Sequence, residues 1–521
     1  MNQTNIGVST LTAAIRLCLA TLAVSVAGSA AAAPDTTRVV VAFKPGAAAA
    51  VKAAVATARG RVKLDIAGMD AMAIEIPAIA VQGLRRNPNV EFVEEDVKRY
   101  PLALASASKK PYLSGQLVPY GIKMVQADQL PDTYAANRMV CIIDSGYDRA
   151  HEDLSGNSAS GIYDAGTGWW YTDENHHGTH VAGTVAAINN SGTGVVGVAP
   201  NRQLKLHIVK VFGADGWAYS STLASAANQC GTAGANVISM SLGGARPSQV
   251  EIRAFAALAL KGVLSVAAAG NDGNSTISYP AGYQSVVMVG ALDENKAWAD
   301  FSQYNSKVEL SAPGVSVLST VPMGAGIEAA LTVGRTMYAP GTMEGSPKTS
   351  ASAALADFGI GDAVNAAVAG KVCLIARGAI DFATKVSNCQ ASGGVGAVVY
   401  NNEPGGFAGT LGATVTAIPS VTASDTEGAS MRGQLGQLAT VTVKPLNYAY
   451  YDGTSMATPH VSAVAALVWS YFPSCTAAQL RASLGKSAQD LGTAGRDEKF
   501  GYGLVQAKTA YDRISTLGCG N

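Results

Sequence analysis

Three short patches carry side chains that could do chemistry together. The first is Ile142-Ile143-Asp144-Ser145-Gly146. It sets a carboxylate at the end of an apolar run, where a parallel sheet places its sites. Alone, it is better explained as an Asp capping a loop. The second, His176-His177-Gly178-Thr179-His180-Val181-Ala182-Gly183, holds three of the six histidines. Neighbouring histidines suggest a metal, but the spacing fits no zinc site and no Glu or Cys ligand stands near. His177, ahead of Gly178-Thr179, can open a helix and act as a base. His180, a turn further on, reads as a satisfied core histidine. The third patch is Gly453-Thr454-Ser455-Met456-Ala457-Thr458-Pro459-His460. A serine in a glycine-led turn before a helix meets backbone N–H groups and a dipole that favour a developing anion. Alone, it would be an N-cap serine. Together the patches supply an acid, a base and a nucleophile for acyl transfer in the order Asp, His, Ser. Hydrolases ordered Ser, Asp/Glu, His are excluded, because no Gly-x-Ser-x-Gly elbow occurs. The order His, Asp, Ser does not fit either.

Groups so far apart in sequence need a rigid frame. From about Ile122, short apolar runs alternate with helix-length stretches: Met139–Ile143, Leu206–Val211, Val237–Met240, Leu264–Ala267 and Val286–Val289. This pattern predicts a parallel sheet covered on both faces. The stretch Gly324–Leu446 breaks the rhythm with its own strand-like runs, Lys371–Ala376, Ala397–Tyr400 and Ile418–Val421, and reads as an inserted domain. Tyr448–Gly453 then leads into a long apolar helix. Ahead of the frame, residues 38–97 read β-α-β-α-β, with room for another strand near Val62–Ile66. A loose stretch follows, Pro101–Ser114, of the kind proteases cut.

The chain has 521 residues, 48% apolar and 14% charged, which excludes a disordered protein. Its 37 basic and 37 acidic residues argue against a nucleic-acid binder. Residues 34–112 carry 12 basic and 8 acidic groups and residues 113–521 carry 24 and 29, mild support for a pairing of the two segments. Arg16, the apolar run Leu17–Gly28 and the small residues Ser29–Ala33 read as a secretory signal too short to span a bilayer. Export implies an oxidising compartment. Six cysteines remain there, and Cys373–Cys389 and Cys475–Cys519 are the expected bridges. Cys141 and Cys230 could pair or stay as buried thiols.

The three patches resemble those of the subtilisin-type secreted serine proteases, the subtilases. The resemblance implies an α/β fold with a parallel central sheet flanked by helices. It adds a small α+β ferredoxin-like propeptide and an inserted, mainly β protease-associated (PA) domain. The PA likeness rests on Gly370-Lys371-Val372, Ala391-Ser392-Gly393-Gly394-Val395-Gly396-Ala397 and Ile418-Pro419-Ser420-Val421. The implied units are a signal peptide (1–33), a propeptide (34–114) that acts as chaperone and inhibitor, and a catalytic domain (115–521) carrying the PA insert (324–446). Asp144 would orient the imidazole, His177 would act as general base then acid, and Ser455 would be the nucleophile. Asn271, in Ala267-Ala268-Ala269-Gly270-Asn271, would complete the oxyanion hole with the Ser455 N–H.

Ser241-Leu242-Gly243 resembles the edge that pairs with an extended peptide. With Ala268, Ala269 and Gly270 it would line a primary pocket whose floor includes Ser278. No acid stands at these positions, so trypsin-like specificity is not expected; the resemblance implies broad specificity with a preference for apolar or aromatic residues in the primary pocket, in an enzyme made as a self-processing proenzyme. Tyr219 would rim a second pocket, altered by Trp217. A structural calcium ion would take Gln116, Asp153, Ile188, Asn190, Thr193 and Val195. Gln116 as a ligand would put propeptide cleavage within Tyr112–Gly115. The resemblance implies a monomeric endopeptidase acting on proteins or peptides, with its own propeptide as inhibitor and no nucleic acid, membrane anchor or organic cofactor. The alternative is a catalytically silent secreted protein that binds peptides in the cleft or on the insert.

Overall fold

The five apolar runs become neighbours in one parallel sheet. Its strand order is Val308–Pro313, Val286–Leu292, Leu264–Ala268, Val237–Met240, Met139–Asp144, Lys205–Lys210 and Ser158–Gly161. Every pairing is parallel. Two of these strands carry no apolar run: Ser158–Gly161 is made of small residues, and Val308–Pro313 mixes Glu and Ser into its pattern. The computed structural model describes residues 35–105, 115–190 and 192–521. The signal-like segment, residues 106–114 of the loose stretch and Ser191 lie outside the described residues.

The helix Thr454–Tyr471 is buried from Thr454 to Ser470 and packs across the sheet. A helix apolar all round needs such a position. The other face is covered by helices Ser220–Thr232 and Gln249–Leu260, whose Leu223, Phe255 and Leu258 join Ile143, Ile238 and Met288 in a second core. Three disulfides form, Cys373–Cys389, Cys475–Cys519 and Cys141–Cys230. The last ties the strand Met139–Asp144 to the helix Ser220–Thr232 across 89 residues.

Between Gly326 and Leu446 the chain builds a separate nine-stranded sheet with helices Phe382–Ala391 and Asp425–Arg432. Residues 36–95 form a four-stranded antiparallel sheet with helices Ala48–Thr57 and Val81–Arg85. This unit sits on the N-termini of the two covering helices. Asp96 accepts from Ser221 N and the hydroxyls of Ser220 and Ser221, capping the first helix. Glu94 accepts from Gln249 N, Val250 N and Ser248 Oγ, capping the second. Carboxylates at helix N-termini are favourable. Arg246 meets Glu95 and Arg253 meets Glu91 at the rim. The more basic segment thus docks on the helix ends through its acids, and its Arg99 pairs with Glu251 of the other segment.

Candidate active site

Asp144 ends the strand Met139–Asp144 and is fully buried. His177 is the first residue of the helix His177–Ala186 and hydrogen-bonds through Nδ1 to Asp144 Oδ1 at 2.7 Å. The start of that helix is fixed by Asp173. Its carboxylate accepts from His176 N, Thr179 N, Thr179 Oγ1 and Ser145 Oγ, while Ser145 Oγ accepts from Gly178 N. The local network thus locks the imidazole against the carboxylate. His177 Nε2 is buried without a hydrogen-bond partner.

Ser455 is the second residue of the long helix. Its hydroxyl donates to the Ser241 carbonyl at 2.9 Å. Pro459 stands four residues on and has no N–H, so the Ser455 carbonyl lacks its helical donor. That carbonyl accepts from Ser241 Oγ at 2.8 Å instead. The proline so ties the first turn to the strand edge. His180 and His460 are fully buried beside this region, and burial holds their rings down to about 3 and about 4. Both are neutral core residues, His180 bonded to the carbonyls of Val317 and Ala449.

Asn271 Oδ1 accepts from Thr454 N at 2.9 Å and Thr454 Oγ1 at 2.8 Å. Those bonds fix the amide so that Nδ2 points outward, and Nδ2 donates to the Leu102 carbonyl at 2.7 Å. Ser455 N donates to the same oxygen at 3.3 Å. Two donors therefore converge on one peptide carbonyl of the chain itself. Gly453 has φ +149°, and a Cβ there would stand 2.4 Å from Leu102 O. Glycine is needed because the chain lies directly on it.

Lys98–Pro101 forms a strand between Ala218–Tyr219 and Leu242–Gly243, antiparallel to both. Leu102 N donates to Ser241 O at 3.3 Å. Leu102 Cδ1 and Ser278 Oγ both crowd Gly243, within 2.9 and 2.3 Å of where its Cβ would stand. Ala268 and Ala269 are buried at the end of a neighbouring strand. Beyond Leu102 the chain continues, and Leu104–Ala105 pairs with Asp452 and Tyr451. The bond held across the site is therefore Leu102–Ala103, about ten residues ahead of the expected window at Tyr112–Gly115. Tyr219 is covered by the Arg38 guanidinium, and Lys98 Nζ sits over Trp217. Leu102, Thr454 and Gly453 were not among the expected site residues. The last two lie inside the serine motif, whereas nothing local marks Leu102.

The expected calcium ligands come together. Gln116 Nε2 donates to Ile188 O and Asn190 Oδ1, Asn190 Nδ2 donates to Asp153 Oδ1, and Val195 N donates to Asp153 Oδ2. Thr193 N donates to Asn190 Oδ1. Among the described residues no group of three or more His, Cys, Asp or Glu is placed to hold a metal ion. This donor set holds a single carboxylate, buried Asp153, with amide and carbonyl oxygens, a composition that suits a hard cation.

The chain matches the Subtilase family over residues 136–360 and 395–503, and the PA domain over residues 336–431. It is 44% identical to subtilisin DY of Bacillus licheniformis, over 40% of this chain and 76% of that protein. It is 38% identical to an alkaline protease of Alkalihalobacillus alcalophilus, over 48% of this chain and 62% of that protein. Among solved structures, the psychrophilic subtilisin-like protease Apa1 from Pseudoalteromonas sp. AS-11 aligns with a TM-score of 0.58 at 43% identity. That alignment covers 77% of this chain and 99% of Apa1. Fervidolysin from Fervidobacterium pennivorans shares the fold with a TM-score of 0.59 at 23% identity, over 92% of this chain and 61% of its own.

Proposed function

Because the chain belongs to the subtilase family of serine endopeptidases, we propose that it is a secreted enzyme that cuts its own chain at Leu102–Ala103 before it cuts other proteins. The observation that carries this reading is the Leu102 carbonyl, held by Asn271 Nδ2 and Ser455 N. In the reaction, Ser455 Oγ turns from Ser241 O toward His177 Nε2 and gives up its proton there. The Oγ–C bond forms at the Leu102 carbonyl, and Asn271 and the Ser455 N–H stabilise the oxyanion. Asp144 stabilises the imidazolium and holds the ring. His177 then returns the proton to the Ala103 nitrogen as the C–N bond breaks, and water hydrolyses the acyl-enzyme by the reverse roles.

After the cut, residues 35–102 stay as a product bound in the cleft, with helix caps and rim ion pairs to hold them. They are the propeptide in this reading, and the catalytic unit with its PA insert follows. Leu102 beside Gly243 and Ser278 fits an apolar preference at the residue before the cut. N-terminal sequencing of the secreted chain tests the proposal: the first cut is expected to expose Ala103. A first cut within residues 112–115 instead would contradict the assignment of the bond.

We further propose that Gln116, Asp153 and Asn190 side chains, with the carbonyls of Ile188, Thr193 and Val195, hold a structural calcium ion. Bound there, it would clamp the loop to the segment at Gln116. Chelation is expected to lower the unfolding temperature of the wild type, with little effect on Asp153→Asn. Equal effects on both would sink the site.

A further inference from the structure

The strand laid in the cleft carries an arginine whose surroundings are built to receive it. Arg99, three residues before Leu102, is 1% exposed, and Glu251, in the first turn of the helix Gln249–Leu260, is 0% exposed. Arg99 Nε donates to Glu251 Oε1 at 3.0 Å and Nη2 to Glu251 Oε2 at 2.7 Å, a two-pronged pair. Nη2 also donates to the Arg246 carbonyl at 3.0 Å, and Nη1 to the Lys98 carbonyl at 3.1 Å. Tyr283 OH donates to Glu251 Oε2 at 2.7 Å and accepts from Ser248 N at 2.8 Å, so the carboxylate is held from behind. Gly244 leaves room for the guanidinium: a Cβ there would come within 3.0 Å of Arg99 Nη1.

Glu251, Tyr283 and the Arg246 carbonyl belong to the catalytic unit, whereas Arg99 belongs to the segment that occupies the cleft. We propose that Glu251 is a specificity-determining residue, and that the enzyme selects substrates with arginine at the fourth residue before the cut. The inference rests on the proposed endopeptidase function and on Leu102 as the residue before the cut.

The physical reason is asymmetric. A guanidinium meets the carboxylate with two parallel bonds and leaves neither charge alone. An apolar side chain in its place leaves a buried carboxylate with the Tyr283 hydroxyl as its remaining side-chain partner, and an unpaired buried charge is costly. A site built to bond a polar group rejects the analogue that lacks it. Lysine supplies the charge without the fork and should rank between.

The test uses wild-type enzyme matured from the full chain and a peptide with the sequence of residues 98–105, varied at the position of Arg99 to Lys, Gln or Leu. Hydrolysis after leucine is followed for each peptide. The expected result is a kcat/KM for the Arg peptide at least about 10-fold above that for Leu, with Lys between. In Glu251→Leu the preference is expected to vanish or invert. Glu251→Leu is a buried change, so the wild-type ranking decides the matter if that variant does not fold. Cleavage of all four peptides at similar rates would overturn the arginine site and leave the endopeptidase reading standing. Cleavage of none would overturn both.

Discussion

Ser455→Ala is expected to lower peptide hydrolysis by about 10^6-fold, a size carried over from subtilisin, and to leave residues 35–102 covalently attached to the rest of the chain. The two effects have one cause. In the proposed reaction one hydroxyl attacks both a substrate and the Leu102 carbonyl, and both bonds to that carbonyl survive the substitution because they come from Ser455 N and Asn271 Nδ2. The fold is expected to persist. Ser455 Oγ makes one bond, to Ser241 O, and the Ser455 carbonyl keeps its own to Ser241 Oγ. Circular dichroism and intact mass of the secreted variant check both halves. A variant that still loses its first unit at Leu102 would show that another protease makes the cut.

Asn271→Ala is expected to lower kcat by about 10^2–10^3-fold, again a size carried over from subtilisin, with a much smaller change in KM. In the proposed reaction the amide sits where charge develops, so its loss should be felt mainly in the transition state. Thr454 makes this residue a rigid donor, since its N–H and hydroxyl both bind Asn271 Oδ1. Thr454→Val should therefore lower kcat in the same direction by a smaller factor, because it frees the amide to rotate. Steady-state kinetics on one apolar peptide separate the two terms. A rise in KM alone would mean that Asn271 merely binds the ground state.

The site was legible wherever chemistry and position share one local pattern. Asp144 closes an apolar run, His177 opens a helix and Ser455 lies in a glycine-led turn, and the structure joins the first two by a hydrogen bond and sets Ser455 N on the Leu102 carbonyl. The sheet followed from its short apolar runs, while Ser158–Gly161 escaped because its small residues carry no such signal. The bond at Leu102–Ala103 could not be read, since it depends on the register of Lys98–Pro101 between two edges far away in the chain. Glu251 escaped for a related reason. In sequence it is one acid in the first turn of a helix, an ordinary place for a carboxylate. Its burial becomes visible when Arg99 arrives from 152 residues away. The Cys141–Cys230 bridge joins a strand and a helix 89 residues apart, and no local spacing marks such a pair.

The most direct test of the central claim is to map the site of covalent labelling by a fluorophosphonate on the matured enzyme. Such a reagent needs a serine made nucleophilic by a neighbouring base. The expected result is one adduct, on the peptide that contains Ser455, that is absent in His177→Ala. Labelling at another serine, or equal labelling of Ser455 in His177→Ala, would contradict the account.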